Sequence, residues 1–157
     1  MSNLIEVVFE DVAKSCVKKL LSLLIPSFEE VLGVDCSENI SVFEGNEISD
    51  KGIESFLSFD GDVAILVDVE AMKLESLILP RVQLRLMKYG NQCDIDFNFN
   101  SNELKNISTA TLIKQLHAYV KKLAVNCNVS SFFGGMEPAS DEDTRYFTNE
   151  ELGPLVV

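Results

Sequence analysis

The 157-residue chain is long enough to bury one hydrophobic core, and 46% apolar with 24% charged residues is the balance of a folded globular protein, not a disordered one. A net charge of −12 repels nucleic acid and favours basic partners, and no apolar run approaches the roughly 18 residues of a membrane span. Glu6, Glu10 and Asp11 stand where a secretory signal needs a basic start, so the expected location is the cytoplasm and the expected organisation is a single globular domain over residues 1–157.

In chain order, Val7 to Leu24 reads as a helix, because Val8, Val12, Cys16 or Val17, Leu20, Leu21 and Leu24 recur at three- and four-residue steps. The β-branched content of Leu4 to Phe9 leaves a strand open there. Pro26 breaks the pattern, and Ser27 is a candidate cap for a second short helix ending at Gly33. Asp35 to Gly61 is polar and turn-rich, with a short strand expected at Ile40 to Glu44 and a helical turn near Ile53 to Leu57. Asp62 to Glu70 holds the continuous apolar run Val63 to Val67, the pattern of a strand buried on both faces.

The clearest element is a hairpin. Arg81 to Tyr89 and Gln92 to Phe99 flank Gly90-Asn91, a two-residue turn that tolerates positive φ. The turn pairs Tyr89 with Gln92, and then Leu86 with Ile95, Leu84 with Phe97 and Val82 with Phe99 as apolar pairs on one face, with Arg85 opposite Asp96 and Gln83 opposite Asn98 on the other. A one-residue slip would send one strand's apolar side chains into water. Ser108 to Val125 is a second helix, capped by Ser108, with Leu112, Ile113, Leu116, Tyr119 or Val120 and Leu123 as its apolar stripe. His117 falls among Lys114, Lys121 and Lys122 on the polar side. The implied fold is α+β: an antiparallel sheet of three to five strands around the 81–99 hairpin, packed on one face by an N-terminal helix and the helix at 108–125.

No constellation carries chemistry. The four cysteines are scattered without zinc or redox spacing and read as small buried hydrophobes. Asp94, Asp96 and Asn98 open like a calcium loop, but Phe99 and Lys105 stand where glycine and glutamate are needed, so they read as the solvent face of a strand. The lone His117 has no nucleophile beside it, the acids of the C-terminal region lack ligand spacing, and Gly134-Gly135 lacks a phosphate-binding frame. No catalytic, cofactor-binding or metal-ligating residue is expected, and no enzyme activity.

Charge is unevenly spread. Residues 27–79 hold thirteen acids against two bases, residues 80–125 three against seven, and residues 126–157 six against one. The last block opens with Ser131 to Thr148, which combines Phe132, Phe133, Tyr146 and Phe147 with Gly134-Gly135, Pro138, Glu137, Asp141, Glu142 and Asp143. Gly134-Gly135 is expected to bend sharply, returning both phenylalanines to the core. Asp141, Asp143 and Thr144 are expected to cap a turn presenting Arg145, Tyr146 and Phe147. Packing of Tyr146 and Phe147 on the sheet is the competing reading. Glu137, Asp141, Glu142, Asp143, Arg145 and Tyr146 are the expected partner-binding residues, followed by the acids of residues 35–62.

By its size, acidity and layout, its tail phrase Phe133 to Thr148 and the terminal Gly153-Pro154-Leu155, the chain resembles the small acidic immunity proteins of bacterial polymorphic-toxin systems, which partner toxins delivered by contact-dependent or type VI secretion. The resemblance implies a stoichiometric inhibitor that binds one cognate toxin, blocks its active site or a nearby surface, and uses acids to mimic phosphate in a basic cleft. The alternative is a type III secretion effector chaperone, an acidic α+β dimer that holds an extended segment in apolar grooves.

Overall fold

A strand and a shorter helix stand where the sequence pattern runs as one N-terminal helix. The computed structural model describes residues 3–157, with elements in the order β1 (Leu4–Glu10), α1 (Lys14–Leu24), β2 (Val31–Cys36), β3 (Phe43–Glu44), β4 (Glu47–Ile48), α2 (Asp50–Ser58), β5 (Val63–Leu74), β6 (Leu77–Tyr89), β7 (Gln92–Asn100), α3 (Thr109–Asn126), β8 (Ser131–Met136), β9 (Arg145–Thr148) and β10 (Glu151–Leu152). Val7 to Glu10 belong to β1, and the break is local: Asp11 turns at φ 48° and its amide is held by Asp94 Oδ1 at 2.8 Å. The helix proper starts at Lys14 and buries Val17, Leu20, Leu21 and Leu24 along one stripe. Ser27 precedes a single 3-10 turn, Phe28–Glu30, without capping it; the expected second helix is replaced by β2.

Among the described residues eight strands form one antiparallel sheet in the order β10-β9-β8-β1-β7-β6-β5-β2, and β3-β4 form a separate ribbon. The sheet is wider than the three to five strands expected, because β1, β8, β9 and β10 add themselves beyond the hairpin. The hairpin keeps its expected register from Tyr89↔Gln92 to Gln83↔Asn98, with Gly90 at φ 58°. Beyond that point Phe99 pairs with Ile5 and Val82 with Val69. The N-terminal strand β1 lies between β7 and β8, inside the sheet, and joins the hairpin to the C-terminal strands.

One face carries the core. Ile5, Val7 and Phe9 of β1 align with Phe99, Phe97 and Ile95 of β7, and these join the apolar sides of the helices in one buried cluster. Each such phenylalanine contributes about 1.5–3 kcal/mol through the surface it removes from water. In α3, Ser108 Oγ accepts the Thr111 amide at 3.2 Å, and the Asn126 carbonyl at its other end receives Lys19 Nζ at 2.8 Å, a cation where the helix dipole favours one. Among the described residues no helix is long and apolar enough to cross a membrane. Cys93 and Cys127 are buried, Cys16 and Cys36 half-buried, and all four are free thiols.

Candidate partner-binding surface

Among the described residues no α-helix lies on the second face of the sheet. Cross-strand register places Asp35, Leu66, Arg85, Asp96, Val8 and Phe133 in one row across it, and Asp68, Gln83, Asn98, Glu6 and Gly135 in the next. The run Val63–Val67, expected to be buried on both faces, therefore buries Val63, Ile65 and Val67 and leaves Ala64 and Leu66 half-exposed on this open side. Asp96 is not a solvent-facing residue either. It is 4% exposed, at the centre of the row, and holds Arg85 through both Nε (3.0 Å) and Nη2 (2.8 Å). Glu6 Oε1 stands 3.7 Å from the same Nη2.

Over the β8–β1 end of this face lies the segment 137–145. Its anchor is charge-assisted: the Ala139 amide donates to Glu6 Oε2 at 3.0 Å, and Ala139 is fully buried. Arg145 clamps the loop from inside, with Nε donating to the Ala139 carbonyl at 2.8 Å and the guanidinium 3.8 Å above the Phe133 ring. Thr144 Oγ1 closes it through the carbonyls of Pro138 (2.8 Å) and Asp141 (2.7 Å). The short 3-10 turn Glu142–Thr144 is capped by Asp141, whose Oδ1 accepts the Asp143 amide at 3.2 Å.

The glycine pair does not bend. Gly134 and Gly135 continue β8 in regular register with β1, while the pairing with β9 shifts between them, from Phe147 to Arg145. They are glycines because of close approach. A Cβ at Gly134 would stand 2.4 Å from Cζ of Phe147, and one at Gly135 2.4 Å from the Thr144 carbonyl oxygen. Phe132 and Phe133 are both buried but on opposite faces, Phe132 beside Phe9 in the core and Phe133 under Arg145. On the core side Phe147 stacks on His117, with centroids 4.4 Å apart and planes at 18°. His117 is thus buried, not solvated as its lysine neighbours suggest. Its Nε2 lies 2.6 Å from the Asn149 carbonyl oxygen, which only accepts, so Nε2 carries the proton. Burial holds the imidazole below its ordinary pKa.

Of the expected contact residues, Glu137, Asp141, Glu142 and Asp143 are exposed together on the loop. Tyr146 is 9% exposed and Phe147 fully buried, so both pack into the sheet instead of being presented. Arg145 is half-buried and occupied by its own loop. What the residue pattern did not single out is the buried Glu6, which ties the N-terminal strand to this loop. The i, i+2 alternation of Glu6, Val8 and Glu10 is the signal that would have placed it on the open face.

Burial pushes the Asp96 carboxyl up to about 6 from its ordinary 3.8, against the pull of Arg85. Burial works to lower Arg85, and the hydrogen bond and charge of Asp96 outweigh it, so its pKa rises. An acid raised on folding contributes stability that is present below about 3.8 and is lost as pH rises through about 6. Asp96→Asn removes that titration. In urea melts from pH 4 to 7, the variant is expected to gain on wild type by on the order of 2–3 kcal/mol as pH rises across this window. A difference that does not change with pH would mean Asp96 keeps an ordinary carboxylate pKa.

Residues 3–152 match the model of the PABL017 Cdi1I immunity protein family. The fold is similar to a chain in the 1.75 Å crystal structure of the toxic C-terminal tip of CdiA from Pseudomonas aeruginosa in complex with immune protein, with a TM-score of 0.86 and 33% identity over 99% of this chain and 100% of that one. No curated protein matches the chain significantly.

Proposed function

The chain belongs to the Cdi1I family of contact-dependent-inhibition immunity proteins, and from that premise we propose that it neutralises a cognate toxin by binding it stoichiometrically, without catalysis, in the cytoplasm. The observation that carries this reading is the match along nearly the whole chain to a protein solved with a CdiA toxin tip. A secretion chaperone, the other reading of an acidic α+β chain, draws no support from either comparison.

The toxin surface it meets is basic. Glu137, Asp141, Glu142 and Asp143 project from a loop whose backbone is fixed at both ends, by Glu6 and by Arg145, so their charge is offered without a large ordering cost. Exposed charges of this kind act mainly through encounter rate and choice of partner. The loop acids are the direct contacts, and Arg145 serves them by holding the loop.

Reversal of Asp141, Glu142 and Asp143 to lysine is expected to weaken binding of the toxin domain encoded beside this chain by roughly 10–100-fold, mostly in association rate, and to flatten its dependence on salt. Asp141→Asn keeps a cap acceptor and separates loss of charge from loss of the turn. Affinity and salt dependence equal to wild type in the triple variant would remove the loop from the interface.

A further inference from the structure

We propose that the helix-free face of the sheet is the main body of the toxin-binding surface, that the tail loop is its rim, and that it takes a basic protein face. The proposal rests on the toxin-binding reading and locates it.

Shape and composition carry the first step. Half-exposed Leu66, Val8 and Met87 stand between the charged side chains of this face, the mixture of apolar patch and polar border that protein interfaces use. At the β2 end the face dips into a groove of about 360 Å³ lined by Leu32, Asp68, Gln83 and Arg81, a seat for one protruding side chain, with Leu32 itself 55% exposed. Six strands at about 4.8 Å spacing and roughly six residues' length cover about 600 Å² in plan. With the tail loop this is comparable to the roughly 800 Å² each partner buries in a stable complex.

Charge decides the occupant. Arg85 is committed to Asp96 and Glu6, and Asp94 accepts from the Asp11 amide, Gln92 and Tyr89. The carboxylates of Asp35 and Asp68, by contrast, have no ion pair or hydrogen bond among the described residues. These two carboxylates and the four exposed acids of the tail loop outnumber the exposed Arg81 at the groove, so the face as a whole attracts cations. A second copy of this chain would set the same acids against themselves across a two-fold axis, so self-association through this face is disfavoured. The face and the loop are continuous, because the Ala139 amide and the Arg85 guanidinium share the Glu6 carboxylate.

The test uses the full chain and the toxin domain encoded in the adjacent reading frame, titrated by calorimetry. Asp68→Lys with Gln83→Lys alters two exposed side chains on β5 and β6, and Asp35→Lys one at the sheet edge. Affinity is expected to fall by about tenfold or more for each variant, with melting temperatures kept near wild type. Gln115→Lys with Ala118→Lys, exposed on α3 in the helical layer, is expected to change affinity by less than about twofold. Wild-type affinity in both sheet-face variants, alongside weakened binding in the tail-loop variant, would overturn the sheet-face assignment and leave the toxin-binding reading standing. A wild-type dimer in sedimentation that the sheet-face variants split, with toxin affinity unchanged, would assign the face to self-association and overturn the proposal. No binding of the toxin domain by the wild-type chain would end both.

Discussion

Phe147→Ala is expected to cost about 3–5 kcal/mol of stability, the range for removing a fully buried aromatic. The ring is inaccessible to solvent, stacked on His117 of α3, and lies over Gly134 of β8. It is thus the piece that joins the last helix to the last strands, and its loss leaves a cavity between the His117 ring and the Gly134 backbone. Gly134→Ala is destabilising for the opposite reason, since its methyl would stand 2.4 Å from Cζ of a ring that His117 keeps from moving away. Combined, each change relieves the other, because the methyl enters space the ring has left. Urea melts of the four proteins in this cycle are expected to show the double variant more stable than the sum of single effects by about 1 kcal/mol or more. Additivity would mean that ring and glycine do not share the site.

The same pair shows where the residues were legible and where they were not. The 81–99 hairpin was fully readable because a two-residue turn and a period-two pattern are both local, and each fixes the same register. Ser108 and the stripe of α3 were readable for the same reason. The N-terminus misled because β1 and α1 are joined by only three residues, and the apolar side chains of a strand followed at once by those of a helix imitate one longer helical period. No local pattern separates them; the positive φ at Asp11 does.

His117, Asp96 and Gly134-Gly135 were hidden for a different reason. Each has its environment set by a segment far away in the chain. His117 sits at a lysine-flanked position of α3 and is buried only because β9 and Asn149 fold across it. Asp96 alternates with apolar residues as a solvent-facing residue would, yet the loop at 137–145 and Glu6 close over its end of the sheet. The glycines look like turn residues and are instead demanded by the close passage of Phe147 and Thr144. The expected contact residues divide along the same line. The exposed acids of the loop could be read from charge alone. The inward roles of Arg145 and Tyr146 required the tertiary fold.

Gly135→Ala tests the link between packing and function most directly. Its Cβ would stand 2.4 Å from the Thr144 carbonyl oxygen and 2.7 Å from Arg145 Cα. Both are backbone atoms, so no rotamer change relieves the contact, and the loop must rise by about 1 Å to restore ordinary van der Waals distance. It rises as a body, because Thr144 is tied to Pro138 and Asp141 and Arg145 to Ala139. The bond that gives way is therefore the one beneath, between the Ala139 amide and Glu6. A carboxylate 8% exposed then loses its backbone donor and keeps only Arg85 at 3.7 Å. Overpacking and the weakened carboxylate together are expected to cost about 2–4 kcal/mol. At a temperature where the variant is still folded, its affinity for the toxin domain is expected to fall about tenfold, and protease cleavage is expected to appear within residues 137–144. A variant that melts early but binds as tightly as wild type would show the loop to be structural only. Wild-type melting and wild-type binding together would show that β8 and the loop pass less closely than their backbone positions require.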